Sequence, residues 1–526
     1  MKIIQNLIKE LIQKPIRSES ALSEFKRKVA KQYKIPLPSN QELLQAYHNL
    51  LKVKRVKPNK RLEELLRVKK IRSLSGIVNV SVLTKPYPCP GKCIYCPEQK
   101  GLPKSYLENE PAVMRALANK FDPYLQTKNR IRALKEEGHP TDKIELRIIG
   151  GTWSYYPKRY QTWFIKKCFD ACNERKASTL KEAQKINEEA SHRIVGITIE
   201  TRPDFIDKEE IKRLRNLGVT RVELGVQSIY DDILELNRRG HKVEATIQAT
   251  KLLKDAGFKV SYQIMPNLPG ATPSRDKKMF KELFSNPNFR PDLLKIYPTA
   301  LLKEAPLYKW WQEGKYKPYS KRVLIELLKE IKKEIPYYVR IQRITRDIPA
   351  QKIIAGPAKI SNLRQIVNQI LEKEGWKCHC IRCREVRNNY NPKTPLYLFR
   401  EDYFASGGKE IFLTFEDRER RRLYSLLRLR IPSYYYEKHS SPIFSVLKEA
   451  AIIREIHTYG QLVPLSEKKN APQHQGLGKK LIKIAEEITK NEFHLPKIAV
   501  IAGVGVRSYY RKLNYTLRET YMVKRL

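Results

Sequence analysis

The sequence predicts an α/β protein: a partial (β/α)6 barrel, followed by a smaller α/β domain and preceded by a basic helical region. Three observations predict it. Strand-like runs at 77–83, 144–149, 193–199, 220–226, 258–264 and 292–297 are each followed by a helix-compatible stretch, the rhythm of parallel βα units. A second series of strand-like runs, at 396–400, 409–415, 423–430 and 449–463, ends on a glycine-rich turn that opens a helix. Residues 1–72 carry 19 Lys/Arg against 6 Asp/Glu yet repeat Leu43, Leu44, Tyr47, Leu50 and Leu51 at helical spacing. The expected organisation is a basic helical region at 1–75, the barrel at 76–345, a connector at 346–395 and the second α/β domain at 396–526.

The first region belongs with the charge of the whole chain. A formal net charge of +47 over 526 residues repels itself and calls for an anionic partner. Nucleic acid fits best, through phosphate contacts and counterion release. The run Lys52-Val53-Lys54-Arg55-Val56-Lys57 and the pair Lys69-Lys70 supply a face for it. The N-terminus has no apolar signal core, since Lys9, Glu10 and Lys14 interrupt it, and no apolar run reaches membrane-spanning length. A soluble cytoplasmic protein is expected. Eight cysteines, six of them in two short clusters, exclude a disulfide framework and point to metal ligation in a reducing compartment.

In the barrel, the informative residues follow strand ends, where such folds place active sites. After the first strand comes Cys89-x3-Cys93-x2-Cys96, with Tyr95 before the last cysteine and prolines around Gly91. Three thiolates hold three irons of a 4Fe–4S cube and leave the fourth iron open to a chelating ligand. Gly150-Gly151 follows the second strand and allows close approach of backbone to a ligand amine. Glu200 follows the third, Gln227 the fourth and Met265-Pro266 the fifth, while Lys295 near the sixth is placed to hold a carboxylate or phosphate. The cysteine spacing is similar to that of radical S-adenosylmethionine (SAM) enzymes, which implies a 4Fe–4S cluster and SAM.

The connector offers Cys378, Cys380 and Cys383, three thiols suited to a structural zinc ion whose fourth ligand the sequence does not name. In the last domain, Gln473-His474-Gln475-Gly476-Leu477-Gly478 opens a helix pattern through Leu481, Ile482, Ala485 and Ile488. Such a turn presents backbone N–H groups to a diphosphate at the positive helix end. With a strand at 497–502 and then Ser508-Tyr509-Tyr510, the order resembles GNAT acetyltransferases, which implies acetyl-CoA.

A radical-SAM barrel fused to a GNAT domain resembles the family of the catalytic subunit of Elongator, the tRNA uridine-34 carboxymethylating enzyme. The resemblance rests on Asp122-Pro123-Tyr124-Leu125-Gln126-Thr127, Thr198-Ile199-Glu200-Thr201-Arg202-Pro203-Asp204, Gly225-Val226-Gln227-Ser228, Phe289-Arg290-Pro291-Asp292, Arg346-Asp347-Ile348-Pro349, Arg454-Glu455-Ile456-His457 and Tyr509-Tyr510-Arg511-Lys512. It implies that Cys89, Cys93 and Cys96 hold the cluster that cleaves SAM to a 5′-deoxyadenosyl radical. That radical would take hydrogen from the methyl group of acetyl-CoA, and the carbon radical would add to carbon 5 of the wobble uracil, giving 5-carboxymethyluridine. Glu455, Ile456, His457 and Thr458, with Gln475 and Gly476, would hold acetyl-CoA, the turn Leu477-Gly478-Lys479 would take its pyrophosphate, Tyr510 would lie near the thioester, and Tyr509 beside it is a further catalytic candidate. Lys143 would reach the coenzyme from the barrel side. A homodimer or accessory subunits remain open. The competing reading is a protein lysine acetyltransferase with Glu455 as general base and the barrel as scaffold; a non-catalytic RNA-binding protein is the third.

Overall fold

The computed structural model describes residues 2–526 except 14, 15, 17, 388–393, 438, 439 and 461–475. One sheet holds β1 (Val78–Leu83), β2 (Lys143–Ile149), β3 (Arg193–Thr201), β4 (Arg221–Gln227), β5 (Lys259–Ile264), β6 (Leu293–Ile296) and β7 (Arg340–Ile344). The strands lie in sequence order and every neighbouring pair is parallel. β1 and β7 are the two edges and do not pair, so the barrel is open between them. All six expected strands are present, and β7 extends the sheet by one. Its two buried residues, Ile341 and Ile344, are spaced three apart because a bulge displaces the register opposite Leu294 and Lys295. That spacing hides the period-2 signal of a strand.

Helices on the outer face start at points the sequence marks. Asp122, Asp207, Thr272 and Ser320 each accept a hydrogen bond from the backbone N–H three residues on, satisfying a donor the first helical turn leaves open. Pro123 and Pro273 follow two of these caps with their φ already helical.

The C-terminal domain is a mixed sheet of β8 (Tyr397–Ala405), β9 (Gly408–Glu416), β10 (Leu423–Ile431), β11 (Ala450–Thr458), β12 (Lys497–Val500), β13 (Thr516–Arg518) and β14 (Tyr521–Arg525). Its spatial order is β13-β14-β12-β11-β10-β9-β8. The run expected at 396–400 continues to Ala405, because Ser406 (φ 49°) and Gly407 (φ 75°) form a two-residue hairpin turn that lets β8 and β9 pair along their whole length. Of the run expected at 449–463, Ala450–Thr458 forms the strand, and residues 461–463 lie outside the described residues. Helix Leu477–Asn491 covers one face, packing Leu481, Ile482 and Ala485 with Leu427, Leu429 and Ile453. The other face packs on the barrel: Leu426, Ile452 and Ala499 join the barrel's own apolar core. This explains why β10 is buried at every position, as a strand covered on both faces must be.

The contact is made at the N-terminal ends of the barrel strands. A Cβ at Gly503 would meet the Val195 carbonyl oxygen at 2.1 Å, so only glycine allows the loop after β12 to lie on β3. Five cations (Lys254, Lys259, Arg428, Arg430, Arg454) meet four carboxylates (Asp255, Asp292, Glu410, Glu455) in the same interface. Four N-terminal helices, Lys2–Gln13, Glu19–Tyr33, Asn40–Lys52 and Lys60–Leu66, form a small core around Leu43, Leu44, Tyr47 and Leu50. A capping box between Ser39 and Glu42 starts the third. Lys52, Lys54, Arg55 and Lys57 are exposed beyond its end. Among the described residues no helix is long and apolar enough to cross a membrane.

Candidate functional site

A cavity of about 920 Å³ fills the C-terminal end of the barrel, and the cysteine loop forms part of its wall. Cys89, Cys93 and Cys96 from the loop after β1, with Gly151, Glu200, Gln227 and Lys295 from the ends of four further strands, all line it. Gly91 is required where it stands. A Cβ there would lie 2.6 Å from Arg202 Nη1, 3.5 Å from Cys93 Sγ and 3.7 Å from Cys89 Sγ.

The thiols are tuned unequally. Burial is the largest single influence on Cys93 and opposes its ionisation, but the Arg239 guanidinium, 3.6 Å from its sulfur, together with the Tyr95 hydroxyl and Arg202, lowers its pKa on balance. Burial and the neighbouring Cys93 push Cys96 up to about 12. Three thiolates therefore do not coexist here without a cation to share, and one buried arginine already favours the first. This donor set fits an iron–sulfur cluster. Arg202 Nη1, Arg239 Nε and Gln227 Oε1 are buried beside it without hydrogen-bond partners, unused polar atoms at a ligand-sized space. Gln227 also has φ 70° at a register shift of β4, a conformation that strains a non-glycine residue and marks a functional position.

Gly150 and Gly151 adopt φ 117° and 49°. A Cβ at Gly150 would collide with Thr84 Oγ1 at 2.3 Å, whereas Gly151 faces the cavity. The expectation that Lys295 offers a free charge to an anion is corrected. Its ammonium is buried and pairs with Glu200 at 2.8 Å and with Glu223. Tyr106 donates to Glu200 at 3.0 Å, and Arg147 reaches Glu223 at 3.4 Å. Lys295 thus fixes Glu200 instead of presenting a bare cation. Glu223, Arg147, Tyr106 and Arg239 have no sequence signal beyond their strands or loops; only the closing of the sheet brings them together.

The C-terminal residues divide between two faces. A bulge opposite Arg428 and Leu429 puts the consecutive residues Arg454 and Glu455 on the barrel side of β11. Glu455 bonds Lys259 at 3.2 Å and Arg428 at 2.9 Å. Burial alone would raise its pKa, but these two cations hold it well below the usual carboxylate range. His457 Nε2 donates to the Ser75 carbonyl at 2.6 Å, and burial lowers its pKa. The side chains of Glu455 and His457 are therefore engaged within the interface, and a Glu455 paired to two cations is a poor proton acceptor. Ile456 and Thr458 alternate to the other face: a Cβ at Gly478 would lie 3.6 Å from Ile456 Cδ1, 3.8 Å from Thr458 Oγ1 and 3.4 Å from the Tyr509 hydroxyl. Tyr510 instead packs in the domain core, edge-on to Tyr515. Gly476 (φ 72°) caps helix Leu477–Asn491, whose first turn includes Gly478 and Lys479. Gln475 lies outside the described residues.

Lys143 starts β2 in register with Arg193, against which Gly505 of the C-terminal domain packs. Burial lowers its pKa. The cysteine loop follows the C-terminal end of β1, whereas the C-terminal domain packs at the N-terminal ends of the barrel strands, so the two expected sites lie toward opposite ends of the half-barrel. The end of β11 lies at the foot of the open side: Gly460 bridges to Ser75 just before β1, and Tyr459 bonds Arg340 at the start of β7.

In the connector, the sulfurs of Cys378, Cys380 and Cys383 lie within 4.8 Å of one another. Hydrogen bonds from its two partners lower the Cys380 pKa, and Lys332 stands 3.7 Å from Cys383. One shared anion among three close thiols fits a zinc ion. His379 stacks on Tyr337 at 4.5 Å, and among the described residues no fourth ligand joins them.

Comparison with known proteins agrees with this architecture. The Radical SAM superfamily model matches residues 83–283 and the Radical SAM C-terminal domain model residues 291–373. The tRNA uridine(34) acetyltransferase of Methanocaldococcus infernus is 46% identical over 100% of this chain and 98% of its own length. Human Elongator complex protein 3 is 40% identical over 88% of this chain and 86% of its own. The solved structure of the archaeal Methanocaldococcus infernus Elp3 with an N-terminal deletion has a TM-score of 0.76 at 46% identity, covering 86% of this chain and all of that one. The chain therefore belongs to the family of tRNA uridine(34) acetyltransferases and Elongator complex protein 3, built on a radical SAM barrel.

Proposed function

We propose that the protein converts the wobble uridine of tRNA to 5-carboxymethyluridine, taking the added carbons from acetyl-CoA and using SAM as radical source. The observation that carries this reading is one chain holding three cysteines at a barrel mouth and a glycine turn with Tyr509 at the foot of the same open barrel. A relative at 46% identity is named for acetyl transfer to tRNA uridine 34.

In this reading Cys89, Cys93 and Cys96 hold the 4Fe–4S cluster, and Arg239 stabilises the thiolate of Cys93. Gly150, Gly151, Glu200 and Gln227 orient SAM, with Lys295 fixing Glu200. When bound, cluster and SAM supply a hydrogen abstractor strong enough for an unactivated methyl group. The first-turn N–H groups of Leu477, Gly478 and Lys479 bind the coenzyme diphosphate. Ile456, Thr458 and Tyr509 line its path, the backbone of Glu455 and His457 borders it, and Lys143 approaches from the barrel. Tyr510 supports Tyr509 from behind. Cys378, Cys380 and Cys383 hold a structural zinc ion.

The test is to incubate anaerobically reconstituted protein with tRNA, SAM, acetyl-CoA and reductant, then analyse digested nucleosides. Carboxymethyluridine is expected from the native protein and none from a Cys89→Ala, Cys93→Ala, Cys96→Ala variant. Full iron loading without carboxymethyluridine would count against the reading. Amine acetylation that survives the triple substitution would favour a lysine acetyltransferase instead.

A further inference from the structure

Two groups of arginines stand on the two lips of the open barrel, and the chemistry above uses neither. On the β1 side are Arg72, Arg115 from helix Pro111–Ala118 and Arg130 from helix Pro123–Glu136. On the β7 side are Arg364 from helix Leu363–Lys373 and Arg382 from the cysteine connector. All five line the cavity that descends to the cysteine loop.

Their charge is poorly matched within the chain. The carboxylates that act on Arg115 are Asp347 and Glu137, and these pair with Arg343 and Arg72. Burial, with Arg72 and Arg115 beside it, pushes Arg130 down to about 10. Across the opening, Arg364 donates through Nη2 to the Ile341 carbonyl at 2.9 Å, while its Nη1 is buried with no hydrogen-bond partner. Arg382 donates to the Gln342 carbonyl at 3.0 Å. Both are anchored to the backbone of β7, and the fold of the cysteine connector sets the position of Arg382.

Like charges gathered at a half-buried site cost stability unless an anion completes them. Guanidinium groups suit phosphate because their fork pairs two oxygens at once. The two groups stand beside the two unpaired edges of the seven-stranded sheet and line one cavity of about 920 Å³, more room than a single small anion fills. A strand with a phosphate at every nucleotide serves both groups. We propose that the two lips form a phosphate clamp for the RNA strand: Arg72, Arg115 and Arg130 grip the backbone on one side of the target nucleotide, and Arg364 and Arg382 grip it on the other. The strand then bridges the unpaired gap between β1 and β7, and the base between the gripped phosphates points down toward the cysteine loop. The inference rests on the reading of the protein as a tRNA-modifying enzyme. The other phosphate source is the coenzyme diphosphate, which the test separates.

The test measures binding of a fluorescent anticodon stem-loop RNA to the full-length protein as a function of salt. Two variants remove one lip each, Arg115→Gln/Arg130→Gln and Arg364→Gln/Arg382→Gln. Each is expected to weaken RNA binding roughly tenfold or more and to flatten the plot of log affinity against log salt by about 1.4, the contribution of two single-strand phosphate contacts. The matching Arg→Lys pairs should keep the native slope, and affinity for CoA should not change. Native slopes in both Gln pairs would overturn the clamp while leaving the tRNA reading intact. Loss of CoA affinity with RNA affinity retained would assign the arginines to the coenzyme and also overturn it. A native protein that binds no stem-loop would remove the substrate reading first, and the clamp with it. A measurement free of folding defects is protection of the native arginines from phenylglyoxal, read by mass spectrometry. The stem-loop should shield Arg115, Arg130, Arg364 and Arg382, and unshielded arginines at saturating RNA would contradict the proposal.

Discussion

Glu455 is held between Lys259 and Arg428, and the direction of its pKa decides what it does. A carboxyl depressed in the folded state contributes stability above its unfolded pKa, and that contribution is lost only as pH falls through the folded value. Its charge is thus constant across roughly pH 5 to 9. Glu455→Gln leaves two buried cations without their partner and should destabilise the protein by about 3 kcal/mol, measured by chemical unfolding at neutral pH. The rate–pH profile of the variant should keep the native shape. A lost acidic limb would instead return Glu455 to the role of proton acceptor. The role of Glu455 was not legible in the sequence, because a single-residue bulge opposite Arg428 and Leu429 sets which face of β11 it occupies. The division between Tyr509 and Tyr510 is hidden for a similar reason: two adjacent aromatics carry no mark of which one faces a cleft.

At the scale of elements, the barrel strands were legible because runs such as Ile194 to Ile199 and Val219 to Val226 are rich in buried β-branched residues and end at turn residues. β7 was not, since its buried positions Ile341 and Ile344 break the alternation. The cysteine connector packs against that same strand: Ile381 donates to the Val339 carbonyl, and Arg384 to the Tyr337 carbonyl. If the connector holds the proposed zinc ion, removing it should therefore loosen β7 and not the cluster loop. Cys380→Ser should lose zinc by elemental analysis and lower the melting temperature by several degrees, an effect of about 1–3 kcal/mol, with the iron content of the reconstituted protein unchanged. Iron loss in step with zinc would contradict separate sites.

At the scale of the molecule, barrel and C-terminal domain share one apolar core and one buried ionic cluster. Asp292 meets Arg454 at 2.6 Å, and Lys254 lies fully buried 3.6 Å from Asp292 and 3.7 Å from Glu410. Burial pushes Lys254 down to about 8, against the pull of those two carboxylates. The unfolded chain then binds the extra proton between about pH 8 and the ordinary lysine range near 10.4, so stability rises with pH across that window. A gain of about 1–3 kcal/mol is expected there by chemical denaturation, and Lys254→Met should abolish it. A native profile flat through this window and falling only above about pH 10.4 would show the lysine raised instead. Joined in this way, the two domains share one core, and in the proposed reaction a coenzyme held at Gly478 would have to extend its arm toward the cysteine loop.

That shared reaction is the central claim, and one isotope measurement addresses it. Native reconstituted protein is given tRNA, SAM, reductant and acetyl-CoA deuterated in the methyl group, and the 5′-deoxyadenosine released is analysed by mass spectrometry. The account predicts deuterium in the 5′-deoxyadenosine together with deuterated carboxymethyluridine in the tRNA. Carboxymethyluridine formed alongside wholly unlabelled 5′-deoxyadenosine would show that the barrel does not act on the acetyl group held by the other domain.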